Sequence, residues 1–203
     1  DQIRTALPDQ ITVQEGVEQN EIDQRLESGD LDVDLAGTGL GPAKKGELLQ
    51  DEDAKSRIDN PVNGAHYYLT VNTQVEPFDT LECRQAVQYA LNRSAVHRAW
   101  GGAVGGDMAN TILPPVVPGH DEESDIYPAE DPEAQEGNVP EAEAKLEECG
   151  EDGGVETNLG VRSDRPAEVS AAEAIQESLK RAGIEVNIKQ YPSDTFTNTQ
   201  AGS

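Results

Sequence analysis

The sequence is poor in the side chains that usually build a large hydrophobic core. Aromatic residues make up 4% of its 203 positions, and apolar residues of all kinds make up 35%. We therefore expect a modest core of Val, Leu, Ile and Ala, in one domain of good size or two very small ones. Helix and strand patterns along the chain are nevertheless regular, which argues against disorder.

Basic residues are also scarce, since 15 Lys and Arg stand against 40 Asp and Glu, for a net charge of −25. Nucleic acids and anionic lipid head groups need Lys or Arg to replace their counterions, so we expect neither as a partner. The acidic residues are spread along the chain without ligand spacing. This distribution favours a role in solubility over a dedicated cation site.

Long apolar runs are missing, because no stretch approaches the ~20 residues that a membrane span requires. The sequence also starts without a charged and then apolar leader, and it stops at Ser203 without a terminal element. We therefore expect a piece of a longer protein. Its two cysteines, Cys83 and Cys149, form no CxxC pair and are compatible with one disulfide or with two buried thiols.

Patterns that carry catalysis or metal binding are absent as well. His66, His97 and His120 are isolated, and no cysteine lies near enough in sequence to complete a zinc set. No GxSxG elbow, P-loop or EF-hand occurs, and GTGLGP at 37–42 has the wrong spacing for a phosphate loop. Cys83 lies on a helix stripe, where a core or disulfide cysteine is favoured over a nucleophile. We expect a protein that is not an enzyme and needs no cofactor or metal.

Strand and helix patterns alternate along the chain. Alternating or β-branched runs predict strands at Ile3–Ala6, Leu31–Leu35, Ala65–Thr73, Val155–Val161 and Ile184–Ile188. Apolar stripes and caps predict helices at Glu18–Ser28, after Asp79 or Thr80, at Ser94–Trp100, after Pro140, and at Pro166–Ala182 with Asp164 as its cap. This alternation predicts an α/β structure with helices flanking one mixed sheet.

The most specific pattern runs from Tyr68 to Arg93. A strand ends at Asn72-Thr73, Pro77-Phe-Asp follows, and a helix that contains Arg84-Gln-Ala then ends at Asn92-Arg93. This order resembles the bacterial solute-binding proteins of family 5, the peptide/nickel type. Three more segments occur in the family's order: Gly29–Val33, Pro114–Gly119, and Ala144–Gly150 followed by the helix to Ala182 and the strand at 184. The resemblance covers nearly the whole chain.

The resemblance implies a lobe of a periplasmic-binding-protein-like type II fold, since such proteins are two-lobed clamps. Residues 1–203 resemble the second lobe alone, incomplete at its C-terminal end. The implied function is capture of oligopeptides or dipeptides outside the membrane and delivery to an ABC permease, by a monomer anchored through a lipid on a leader outside this chain. Two alternatives stay open: a non-peptide solute such as an oligosaccharide or nickel complex, and a sensory or adhesion module without transport.

The resemblance also implies candidate ligand residues. In dipeptide-binding relatives an Arg after the strand equivalent to Val155–Val161 takes the ligand's carboxylate, and this position corresponds to Arg162. Arg165 is the alternative if the loop shifts by three residues, and Arg162 could instead merely balance acids such as Asp164. The family's Gly-Trp-x-x-Asp segment, whose carboxylate receives a peptide's amino group, is not in this sequence.

A disulfide between Cys83 and Cys149 is a further implication. Both cysteines occupy apolar positions of predicted helices, and these helices are neighbours in the family's layout. An extracytoplasmic location would allow oxidation. Two separate buried thiols remain the alternative.

Overall fold

The computed structural model describes residues 8–35, 39–58, 64–121 and 123–200, which fall into two compact units, Asp1–Gly41 and Pro42–Ser203. Its helices are α1 (Gln19–Ser28), α2 (Pro42–Leu48), α3 (Glu52–Lys55), α4 (Leu81–Ala90), α5 (Arg93–Ala99), α6 (Val139–Glu148), α7 (Pro166–Lys180) and α8 (Ser193–Gln200). The strands of the described part are β1 (Val155–Arg162) and β2 (Ile184–Tyr191). The predicted α/β class is confirmed. The strand predicted at Ile3–Ala6 lies outside the described residues.

The first unit contains α1, which was predicted from its sequence and ends at Gly29 in the left-handed conformation. Asp23 on this helix is buried, and its carboxylate accepts hydrogen bonds from the Gln19 amide at 2.8 Å and the Gly41 backbone N–H at 3.0 Å. The strand predicted at Leu31–Leu35 is wrong, since the structure assigns none there and Leu35 is 73% exposed. Alternation alone did not supply the neighbouring strand that a half-buried strand requires.

The sheet lies in the second unit and is a parallel pair connected by α7. Its register runs from Val155 opposite Ile184 to Arg162 opposite Tyr191. Parallel strands need a crossover, and α7 supplies it while packing on both strands. The helix ends close to where the sequence predicts, because Gly183 adopts the left-handed conformation just before β2 begins.

The core forms where α4, α6 and α7 meet the sheet. Helix α4 packs on α6, and α5 packs on α7. The buried side chains of this cluster are Ala, Val, Leu and Ile, as the composition predicts, and the partly buried Phe78 and Tyr89 pack against them. Its buried members include Ala86, Ala90, Ala142, Leu146, Leu179, Ile184 and Val186. Burying a side chain the size of Ile184 contributes roughly 1.5–3 kcal/mol, so a few such residues carry much of the stability.

The segment Ala65–Thr73 was predicted to be a strand, with its residues Tyr67–Asn72 in one sheet with Ile184–Ile188, and this prediction is wrong. Within the described ranges the only pairing is that of β1 with β2, and the segment is assigned no strand. Tyr67 and Tyr68 are 63% and 70% exposed, and Tyr67 stacks on Trp100 at 4.3 Å between ring centroids. Residue propensity was high here, but a strand forms only where a partner backbone is available.

Candidate functional site

The carboxyl ends of β1 and β2 lie at the same edge of the sheet, because the strands are parallel and in register. In open α/β sheets, ligands bind in the crevice outside these ends. Arg162 and Tyr191 are the last residues of their strands and face each other in the register. We call this region, with the start of α7 and Phe196 of α8, the carboxyl edge. It is the candidate site.

Arg162 is held at the carboxyl edge by Glu168 from the first turn of α7. The Arg162 Nε and Nη2 atoms donate to Glu168 Oε2 at 2.8 and 2.6 Å, and the Arg162 backbone N–H donates to Oε1 at 2.8 Å. The Arg162 side chain keeps 30% of its surface exposed, against 15% for Glu168. The guanidinium is therefore paired, but it still reaches solvent.

Two aromatic rings lie near the carboxyl end of β1. The Arg162 Cζ atom lies 5.7 Å from the centroid of the Phe196 ring, within the range of a cation–π contact. A Cβ atom placed on Gly160 would lie 3.6 Å from Phe196 Cε2 and 3.7 Å from Tyr191 Cε2. Both rings thus stand against the strand at Gly160. An apolar surface and a cation lie side by side here.

Asp164 does not cap α7 as predicted, because its carboxylate turns to the start of α8. Its Oδ1 accepts from the Ser193 backbone N–H at 3.1 Å and from the Ser193 hydroxyl at 2.8 Å. Partial burial raises the pKa of Asp164, but the hydrogen bonds from Ser193 and from its own backbone, with the charge of Arg165, outweigh burial and hold the pKa below its ordinary value. The carboxylate thereby fastens α8, and with it Phe196, to the loop after β1.

Arg165 occupies the N-cap position of α7 without a side-chain capping bond. No hydrogen bond or ion pair joins its guanidinium to another described residue, and its side chain is half-buried. Arg162 and Arg165 flank the same short loop between β1 and α7. The two candidate ligand residues therefore lie at the same edge of the sheet.

Glu168 and Phe196 are site residues that sequence reasoning missed. An acid in the first turn of α7, six residues after Arg162, was a usable signal for Glu168. Phe196 had no such signal, because α8 was not predicted.

The two cysteines are joined in the structure, where Cys83 of α4 and Cys149, directly after α6, form a disulfide with 5.7 Å between their Cα atoms. Cys83 is fully buried, and the bond lies where α4 packs on α6. Because its sulfur is bonded to that of Cys149, Cys83 has a structural role and is not a nucleophile.

The described residues contain no group of three or more His, Cys, Asp or Glu that could hold a metal ion. The ring of His97 contacts the carbonyl of Gly106 at 2.7 Å, and that of His120 contacts the carbonyl of Leu113 at 2.6 Å. These imidazoles thus contact loop carbonyls. Among the described helices, none has the length and apolar content to cross a membrane.

Comparison with known proteins identifies the family of this chain. The family described as bacterial extracellular solute-binding proteins, family 5 Middle, matches residues 3–203. The chain belongs to this family. Within the family, it is 32% identical over 129 residues to the "heme-binding protein A" of Haemophilus influenzae and 33% identical over 129 residues to the "dipeptide-binding protein" of Escherichia coli K12. Each of these alignments covers 61% of this chain and 22% of the relative.

A solved family 5 structure gives the same fold. The "clavulanic acid biosynthesis oligopeptide binding protein 2" superposes with a TM-score of 0.75 at 32% identity, covering 89% of this chain and 32% of that protein. The match thus spans about a third of that solved chain and about a fifth of the two curated relatives. These relatives are binding proteins by name, and none of the three names describes an enzyme.

Proposed function

We propose that the chain is the second lobe, incomplete at its C-terminal end, of the substrate-binding component of an ABC importer. The complete protein captures oligopeptides or dipeptides outside the membrane and delivers them to a permease. Its membership of solute-binding family 5 over residues 3–203 carries this proposal. A half-exposed guanidinium beside an aromatic ring at the carboxyl edge supports it.

The chemistry of the carboxyl edge suits one end of a peptide. A guanidinium binds a carboxylate through two parallel hydrogen bonds, which favours Arg162, or Arg165, as the partner of a free C-terminus. The Phe196 ring next to Arg162 offers apolar surface for the last side chain of such a ligand. The group that would receive the peptide's amine belongs to a segment outside this sequence.

The remaining features of the proposal follow from the family. We propose an extracytoplasmic location with a lipid anchor on a leader outside this chain, and a monomer whose partners are the ligand and the permease subunits. No nucleic acid partner is proposed, because a net charge of −25 repels phosphates. No cofactor or metal is proposed.

A non-peptide solute is the second candidate. It is supported by the relative named heme-binding protein A, which is as similar to this chain as the relative named for dipeptides. The pairing of Arg162 with Glu168 also supports it, because a guanidinium that is already paired attracts an anion less strongly.

Mass spectrometry of the solute released from the full-length protein tests both candidates. The protein is purified without added ligand, denatured in acid and extracted, and a non-binding protein from the same cells serves as the control. We expect a set of short peptides with free C-termini. A porphyrin, a saccharide or a metal complex as the sole enriched solute would contradict the peptide proposal and favour the second candidate.

A further inference from the structure

Glu168 makes three contacts to a single residue, and these contacts fix the whole length of the Arg162 side chain. One carboxylate oxygen accepts from the Arg162 backbone N–H, and the other accepts from Nε and Nη2 at the far end. Anchoring both ends leaves the intervening torsions little freedom. An exposed Arg that is not anchored would lose considerable rotamer entropy whenever it bound a ligand.

The same contacts decide which atoms of the guanidinium stay available. Glu168 occupies the edge formed by Nε and Nη2, and no other described residue accepts a hydrogen bond from Nη1. The Arg162 Cζ atom lies over the Phe196 ring, 5.7 Å from its centroid. The edge formed by Nη1 and Nη2 is therefore the part that a carboxylate from solution can reach.

We propose that Glu168 is a positioning residue, which holds Arg162 so that the Nη1/Nη2 edge meets the carboxylate of the ligand. This inference rests on the proposed function for its ligand, but the ordering of Arg162 stands independently of it. Glu168 acts through Arg162 and does not touch the ligand. Its negative charge lowers the attraction for an anion, and fixed geometry outweighs that loss because the side chain no longer has to be ordered on binding.

The first measurement needs no ligand. In the full-length protein with ¹⁵N-labelled arginine, relaxation of the Arg162 Nε–H group reports its order parameter, and Arg162→Lys assigns the signal. We expect a rigid group, near 0.85, that falls below about 0.6 in Glu168→Ala. Glu173→Ala is the matched control, because it removes the same charge from an exposed position of α7. An unchanged order parameter in Glu168→Ala would overturn the positioning role.

The second measurement uses calorimetry with the dipeptide Ala-Phe and its C-terminal amide as probes. Glu168→Ala is expected to bind the free dipeptide about three- to tenfold more weakly, the range for ordering one long side chain, and to bind the amide as the wild type does. Glu168→Gln keeps the shape and one acceptor oxygen, so its loss should be smaller. Equal or tighter binding of the free dipeptide by Glu168→Ala would show that charge dominates and would overturn the proposal.

The two measurements separate this inference from the proposed function. If wild-type protein binds neither probe but Glu168→Ala still frees Arg162, peptide capture loses support while the positioning role stands. If wild-type protein binds the dipeptide and Arg162 stays ordered without Glu168, the function stands and the positioning role fails. Thermal melts of all variants verify that each one folds.

Discussion

At the scale of single residues, carboxylates and guanidinium groups organise the carboxyl edge. Glu168 holds Arg162, and Asp164 holds the first residue of α8. These bonds join three elements near the end of the chain, β1, α7 and α8, and β2 lies between α7 and α8 in the sequence. In a protein with so few aromatic side chains, such charge-assisted hydrogen bonds help to place the elements that apolar packing leaves loose.

Asp164→Asn is expected to destabilise the protein at pH 7 by under about 1 kcal/mol, since the carboxylate is mostly exposed. The pKa of Asp164 is lower in the folded chain than in the unfolded one. Its contribution is therefore complete above about pH 4 and disappears as the pH falls through the lower folded value. Urea unfolding of the wild type and the variant at pH 7 and at about pH 2.5 measures the difference in their free energies of unfolding at each pH.

The control for Asp164→Asn is Asp152→Asn, an exposed carboxylate in the turn after α6. Both variants change the net charge equally. A destabilisation of the Asp164 variant that persists undiminished at the acid pH would mean that its charge is not the cause.

Arg162→Ala in the full-length protein is expected to weaken binding of free peptides by roughly 1.5–3 kcal/mol, the scale of a hydrogen bond to a charged group. The loss should shrink for ligands with an amidated C-terminus, because these lack the carboxylate. Calorimetry with both ligand forms measures it, and Arg165→Ala is the matched variant on the same loop. Equal losses for free and amidated ligands would mean that Arg162 does not contact the carboxylate.

At the scale of elements, the disulfide joins two helices that already pack together. Closing the loop between Cys83 and Cys149, which are 66 residues apart, contributes roughly 4 kcal/mol in the chain-entropy model. We expect no free thiols when the purified protein is denatured without reductant and titrated. A sample reduced first should give two thiols per chain and serves as the control. Two thiols without reduction would contradict the bond.

Helices with an apolar stripe and a clear cap were predictable from sequence, and strands less so. Helices α4, α6 and α7 follow from local signals that a chain carries within itself, such as Pro140 and Pro166 at the first helical turns. Leu31–Leu35 and Ala65–Thr73 have strand-like residues, but neither segment pairs as a strand within the described part of the chain. Pairing is a property of two segments, so one sequence window cannot supply it.

The candidate site was predictable to a similar degree. The choice of Arg162 follows from the family resemblance. This residue lies at the carboxyl ends of the parallel strands, outside which ligands bind in open α/β sheets. An acid in the first turn of α7 was a local signal for its partner Glu168. Its neighbour Phe196 depends on how α8 folds back on β1, which no local pattern encodes. Asp164 shows the same limit, because its position before α7 suggested a cap while tertiary contact with Ser193 decided its role.

At the scale of the whole molecule, the net negative charge and the positively charged Arg162 have opposite effects on an anionic ligand. A surface with a net charge of −25 repels an anionic ligand at a distance, although salt screens this repulsion beyond about 8 Å under physiological conditions. Under the proposed function, recognition of a carboxylate would therefore come from contact with a local cation. This makes the geometry of Arg162 more important than long-range attraction.

The isolated 203-residue chain is expected to bind peptides weakly or not at all, with a Kd well above the micromolar range. In the proposed clamp, closure of two lobes supplies most of the buried ligand surface, and here one lobe and the amine-binding carboxylate lie outside the sequence. Calorimetry with a peptide library measures the affinity, circular dichroism verifies the fold, and the full-length protein is the control. Micromolar binding by the isolated chain would overturn the second-lobe assignment, because one lobe would then suffice.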